Sequence, residues 1–336
     1  MITLGGGAQL LSLPDINFTF FVKNGDAAVR TQKNSDLDDY GGAFVGSIET
    51  PLGYWGATQV TGVVSGFFAN VTDTDVTRCK STGSLSCYTE RIVDRPDRPD
   101  SIGYDNLTTT AHRDVDYWGA SAEARFGKAP APVPDRGGYL FRLAYVGLGS
   151  DVRGIYQDNQ LRLRGDNVPV NYNETLDTTY AGAFLSVGGE YNLLGYLGIG
   201  GSWGLRSLLS LRGGLYNAST DYDGRFSARG TTTRLGLSDD ELAFISAASF
   251  ETRKQFGRRT SLSLVTDYEW YSFAPKMKYV NADRNGCSEV EDGPLFDCPG
   301  TVNRTHISDD DAFEVRTTLR LNIALGAAGL YAEPIK

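Results

Sequence analysis

The sequence predicts an all-β fold: one closed, antiparallel, up-and-down transmembrane β-barrel of about ten strands (roughly 8–12), with short turns at one end and long loops at the other. Three observations point there. Segments of the chain alternate strictly between apolar and polar residues, with charge confined to one face. No run of about 18 apolar residues exists that could cross a membrane as a helix. The composition, with 40 Gly, 18 Tyr and 16 Phe but only 2 Met and 2 His, suits strands, tight turns and aromatic belts.

The alternation is plainest at the end of the chain. Over 313–325, Phe313, Val315, Leu319, Leu321, Ile323 and Leu325 share one face, while Glu314, Arg316, Thr318, Arg320 and Asn322 share the other. Successive side chains of a strand point to opposite faces, so one face meets lipid and the other the lumen. The same reading places Trp118, Ala120, Ala122, Ala124 and Phe126 against Glu123 and Arg125, and Leu262, Leu264, Tyr268 and Trp270 against Asp267 and Glu269. It places Leu205, Leu209, Leu211 and Leu215 against Arg206 and Arg212. Ala181, Ala183, Leu185 and Val187 oppose Glu190, and Phe244, Ala248 and Phe250 oppose Glu251 and Arg253. Less regular candidates are 16–23, 43–52, which sets Phe44 and Ile48 against Glu49, and 139–149, which sets Phe141, Leu143 and Tyr145 against Arg142.

Between these segments, short turns are expected near 51–53, 195–202 and 256–258, and long polar loops near 25–40, 71–113, 151–177, 217–240 and 276–309. The implied organisation is an N-terminal periplasmic segment (1–14), a single barrel domain (15–325) and a C-terminal tail (326–336). Tyr40, Tyr117, Trp118, Tyr180, Trp270 and Tyr271 fall at the exterior strand ends, and Tyr54, Trp55, Tyr139, Tyr191 and Trp203 at the other, as two aromatic girdles would. The opening MITLGGGAQLLSLPD lacks the basic start of a secretory leader, which an exported chain would need upstream.

In pattern, over roughly residues 15–325, the chain resembles bacterial outer-membrane β-barrel proteins of the porin-like class. The resemblance implies residence in the outer membrane, contact with its lipid and lipopolysaccharide, and a small porin or structural surface protein. Members of the class typically end on an aromatic residue closing the last strand; here the strand ends near Leu325 and the chain continues to Lys336.

The lumen-lining set expected from the alternation is Glu49, Glu123, Arg125, Arg142, Glu190, Arg206, Arg212, Glu251, Arg253, Asp267, Glu269, Glu314, Arg316 and Arg320. Buried charges of both signs must pair, so these predict a narrow or side-chain-filled lumen. Cys79 with Cys87 and Cys287 with Cys298 are two local pairs in polar stretches, expected as disulfides that pin exterior loops; their spacing does not fit a zinc site. The alternative function is a surface binding or adhesion barrel acting through those acidic loops. A third is a hydrolase at the exterior rim, with His112 beside Asp114 and Asp116, or His306 near Asp309, Asp310 and Asp311, as base and orienting carboxylate. Some ten-stranded barrels of the class are such proteases, but their Asp-x-His arrangement is absent, and no enzymatic activity is expected. A soluble secreted β-sandwich is the remaining class.

The formal charge of -9 speaks against a nucleic-acid partner. The clusters Asp36/Asp38/Asp39, Asp73/Asp75, Asp239/Asp240/Glu241 and Asp309–Asp311 offer hard oxygens to divalent cations, though none has the spacing of a calcium loop. No cofactor and no resident metal are expected, and oligomeric state is not legible.

Overall fold

The computed structural model describes residues 1–14, 19–24, 27–33, 39–80, 85–90, 101–127, 141–167, 169–191, 205–228, 231–257, 259–278 and 306–325. In chain order the strands are β1 (Ile2–Ser12), β2 (Thr19–Asn24), β3 (Ala27–Lys33), β4 (Asp39–Trp55), β5 (Thr58–Lys80), β6 (Leu85–Glu90) and β7 (Ser101–Tyr104). They continue with β8 (Asn106–Gly127), β9 (Phe141–Gly165), β10 (Val170–Tyr191), β11 (Leu205–Ala228), β12 (Thr231–Gln255), β13 (Thr260–Lys278) and β14 (His306–Ile323). Ten of them close a barrel in the order β1-β14-β13-β12-β11-β10-β9-β8-β5-β4, and β3-β2-β6-β7 form a separate sheet at the exterior end. Every neighbouring pair in the barrel is antiparallel.

The wall has two zones with opposite sidedness. In the lower zone large apolar side chains face outward and are exposed: Leu4, Phe44, Ile48, Phe68, Leu148, Leu185, Leu211, Leu215, Phe250, Leu264 and Leu319 among them. On β14 the outward apolar series runs from Phe313 to Ile323, about 26 Å along the barrel axis at a tilt near 40°. That matches the apolar band of a transmembrane barrel. Trp118, Trp270, Phe244 and Phe313 mark its upper edge and Tyr54, Trp55, Phe141 and Phe256 its lower edge. Trp55 meets Phe126 edge-on, with ring centroids 6.0 Å apart.

Above the band β9 continues for about 24 Å more, from Tyr156 to Gly165, whereas β1 ends at Ser12 and β4 starts at Asp39. Here the phase inverts. On β10 the outward residues change from Val187, Leu185, Ala183 and Ala181 to Thr179, Asp177, Thr175 and Asn173, while the inward face becomes Tyr180, Leu176, Tyr172 and Val170. The solvent outside has changed from lipid to water, so the apolar face turns inward.

This corrects several sequence expectations. Residues 2–12 are the first barrel strand, hydrogen-bonded to both β14 and β4, and not a periplasmic segment. Their three glycines hide the alternation. The segment near 16–23 contributes β2 to the exterior sheet rather than to the barrel. The expected loops 151–177 and 217–240 are mostly strand; their polar residues form the outer face of the crown. The expected loop 71–113 holds the top of β5, then β6 and β7, and the start of β8. The turn expected at 51–53 lies at 56–57, where Gly56 takes the left-handed backbone (φ 62°), and the irregularity at Pro51/Gly53 is a register shift within β4. The turn 195–202, the girdle residues Tyr139 and Trp203, and the tail 326–336 lie outside the described residues.

Candidate functional site in the barrel lumen

The lower half of the lumen holds a cavity of about 560 Å³ that extends to the turn end of the barrel. Of the fourteen lumen residues named from sequence, twelve line it: Glu49, Glu123, Arg125, Arg142, Glu190, Arg212, Glu251, Arg253, Asp267, Glu269, Arg316 and Arg320. Glu314 lies fully buried above it, 3.3 Å from Arg316. Arg206 is outside the lining, opposite Arg253 across β11 and β12.

Inward positions two apart along one strand, as in Arg125 with Glu123 and Arg253 with Glu251, and on neighbouring strands, as in Arg142 with Glu190 and Arg320 with Asp267, bring opposite charges together. Arg125 holds Glu123 at 2.9 Å, and Glu123 accepts a hydrogen bond from Ser186. Arg142 pairs with Glu190. Arg253 holds Glu251 at 2.7 Å, and Ser263 donates to the same carboxylate at 2.6 Å. Arg320 pairs with Asp267. Guanidiniums also lie over aromatic rings: Arg125 over Tyr145 (4.5 Å), Arg212 over Phe184 (4.9 Å), Arg316 over Phe67 (4.0 Å) and Arg153 over Tyr271 (5.8 Å). Stacking and pairing together fix the planar forks.

The cavity has a charged ceiling. Arg153, 1% exposed, reaches Asp151 at 2.9 Å, pairs with Glu269, and donates to the Tyr271 hydroxyl at 2.8 Å. Arg212 contacts the same two carboxylates from below, at 2.7 Å to Glu269 and 3.4 Å to Asp151. The Tyr117 hydroxyl donates to Glu269 at 3.0 Å and contacts that of Tyr271. Directly above, Leu11, Val71, Val115, Ile155, Tyr180, Tyr216, Ala218, Ala243, Ile245 and Phe273 fill the bore as a dry layer. Next comes a polar tier. Arg113 is fully buried, bonds Asp39 at 3.1 Å and Asn159 at 3.1 Å, and donates to the Pro14 carbonyl at 2.8 Å. Asn159 donates to Glu174 at 2.9 Å. On β10 the outward series is already polar at Thr179, so Glu174 stands above the membrane-spanning part. Burial pushes its carboxyl up to about 7.

At the top, Leu107, Ala111, Leu161, Leu163, Val170, Leu176 and Leu235 form a second apolar core that includes Cys87 and Tyr104 of the exterior sheet. The Cys79–Cys87 disulfide ties that sheet to the end of β5. Cys287 and Cys298 lie outside the described residues. Asp166, fully exposed in the β9–β10 connection, accepts the backbone amides of Asn106 (3.1 Å) and Asp105 (3.0 Å), which hold its carboxyl below the usual range.

Sequence reasoning misses Asp151, Arg153, Arg113, Asn159 and Glu174, because they fall in stretches that read as loops. Tyr117, Tyr180 and Tyr271, expected in the outer girdle, instead point inward. The signal is present: Ile155, Leu161 and Leu163, and Val170, Tyr172 and Leu176, keep a spacing of two, but with the apolar face reversed. Asp39, expected in an acidic loop cluster, is buried against Arg113. The two histidines stand on strands far apart round the ring, His112 on β8 and His306 on β14. His112 contacts Thr74 (2.7 Å) and Asp114 (3.0 Å) on the outer wall.

No protein-family model matches the chain, and no curated protein matches it. Among solved structures it is similar to the outer membrane protease OmpT from Escherichia coli, at 10% identity and a TM-score of 0.41, covering 96% of each chain. It is similar to a FadL homologue of Pseudomonas aeruginosa at 8% identity and a TM-score of 0.25, covering 96% of this chain and 90% of the other. A third is the anion-selective porin of Comamonas acidovorans, at 7% identity and a TM-score of 0.12, covering 94% and 99%. At these identities no residue role passes from one chain to another. The class defined by the fold itself is a ten-stranded transmembrane β-barrel with a tall exterior crown.

Proposed function

We propose that this protein is an integral outer-membrane barrel of the plugged kind: a structural surface protein that holds a rigid, disulfide-tied crown above the membrane and does not conduct solutes through its centre. Its apolar band meets outer-membrane lipid, with lipopolysaccharide around the acidic outer wall at the base of the crown. The observation that carries the reading is the dry layer across the bore, where Leu11, Val71, Val115, Tyr117, Tyr180 and Tyr271 are inaccessible to water. A porin of similar strand number would need that layer replaced by small or polar side chains round a wet channel.

A surface-binding role is the second reading. It is favoured by the length of the crown and by the tie between Cys79 and Cys87, which presents the exterior sheet in a fixed position.

The test is reconstitution into lipid vesicles followed by osmotic swelling in a small neutral sugar. The plugged reading expects stable insertion, and swelling no faster than in empty vesicles. Swelling that scales with the amount of inserted protein would overturn it in favour of a porin.

A further inference from the structure

The side chains lining the cavity beneath the plug are formally neutral in sum, with seven guanidiniums and seven carboxylates. The accessible surface is not. In most of the ion pairs that reach the cavity, the carboxylate lies against the wall and the guanidinium stands into the open space. The side chain of Arg142 is 33% exposed against 9% for Glu190, that of Arg125 is 30% against 8% for Glu123, and that of Arg212 is 22% against 5% for Glu269. Arg320 and Asp267 show the same order, Arg253 with Glu251 reverses it, and Arg153 and Arg316 are themselves buried. Glu49 adds one carboxylate near Arg125.

The recess has a structural cause. Glu123 and Ser186 meet in the space over Gly147, where an added Cβ would stand 2.2 Å from the carboxylate and 2.3 Å from the hydroxyl. The glycine lets the carboxylate lie flat on the wall, beneath the forks. The register sets Arg125, Gly147, Ser186 and Arg212 at one level across β8, β9, β10 and β11. From that level Arg125 leans toward the turn end, over Tyr145, and Arg142 stands nearer the mouth on β9, whereas Arg212 leans the other way, over Phe184 to the ceiling carboxylates. Guanidinium edges not used by their own carboxylates are donors of fixed geometry, matched to carboxylate and phosphate oxygens. A cavity of this volume falls in the range that encloses small ligands.

We infer that the cavity is a binding site for a small multivalent oxyanion, a compact polyphosphate or polycarboxylate, entering from the turn end and held by Arg125 and Arg142. The site is closed above by the plug, so it binds and does not conduct. It stands on the cavity geometry, whatever the conductance of the barrel.

The test is calorimetric titration of the folded protein, in zwitterionic detergent at low salt, with pyrophosphate and with citrate, and with spermidine as a cationic control. Saturable one-site binding of either anion is expected, with a dissociation constant below about 1 mM, weakened by added salt. Spermidine should give no saturable heat. R142Q/E190Q removes a projecting cation together with the carboxylate it pairs with, at no change in net charge; affinity should fall about tenfold. With R125Q, in which Glu123 is still held by Ser186, it should fall at least as far. Absence of saturable anion binding by the folded wild type would overturn the inference. So would equal binding of spermidine, or undiminished affinity in R142Q/E190Q whose folding is intact by gel mobility with and without heating.

Discussion

Replacing Arg153 with Met keeps most of the side-chain volume at the ceiling and removes the charge. In the wild type this one guanidinium serves Asp151 at 2.9 Å, Glu269, and the hydroxyl of Tyr271 at 2.8 Å, all buried. Taking one partner from a buried ion pair costs about 3–5 kcal/mol, because the other charge is left without compensation. Here Arg212 still contacts Glu269 at 2.7 Å and Asp151 at 3.4 Å, which places the loss at the lower end, about 3 kcal/mol. E269Q removes the opposite charge and leaves Arg153 with Asp151. In R153M/E269Q neither is stranded, so the double variant should cost less than the sum of the singles, by about 1.5 kcal/mol or more. The assay is urea-dependent folding into lipid vesicles, followed by the fluorescence of the tryptophans. An R153M cost below about 1 kcal/mol, or strict additivity in the double variant, would refute the ceiling as a coupled buried network. R153M should also stay closed to solutes, since Leu11, Val71 and Val115 still fill the bore above the ceiling.

Two further perturbations address the crown. Burial holds the Glu174 carboxyl at about 7 in the folded protein, above its ordinary value of 4.5, so the folded state favours the protonated form. Its contribution is intact below about 4.5 and is lost as pH rises toward 7, by up to about 3 kcal/mol. E174Q should therefore gain on the wild type between those values in urea midpoints measured across pH; a difference constant with pH would count against this assignment. C79S/C87S removes a crosslink closing a short loop and should destabilise the attached sheet by about 2–3 kcal/mol. Limited proteolysis from the exterior should then cut the crown while leaving the membrane-spanning part intact, and an unchanged digestion pattern would show that the apolar core alone holds the sheet.

What was legible in the sequence follows from solvent contrast. Where one face of a strand meets lipid, as in 313–325 and 118–126, charge is excluded from that face completely, and the faces and most of the lumen residues can be read directly. Above the membrane both faces tolerate polar residues, and the apolar one turns inward. Asp151 to Gly165 and Val170 to Thr179 then look like acidic loops although they alternate as regularly as the strands below. The first strand was hidden for a different reason: Gly5, Gly6 and Gly7 carry no side chain to show a face, and their place is fixed by backbone pairing with β4 and β14. Pairings between distant segments, such as Arg113 with Asp39 or Arg153 with Glu269, depend on barrel closure and register, which no local pattern records.

The central claim, that the bore is sealed by its own side chains, is tested most directly by single-channel recording of the purified, folded protein in a planar bilayer. The sealed barrel inserts, as shown by protection of its membrane-spanning part from protease, and gives no resolved conductance steps over a wide voltage range. Reproducible open steps from the same inserted, folded protein would contradict it, and would mean that the layer of Leu11, Val71, Val115, Tyr117, Tyr180 and Tyr271 does not close the barrel.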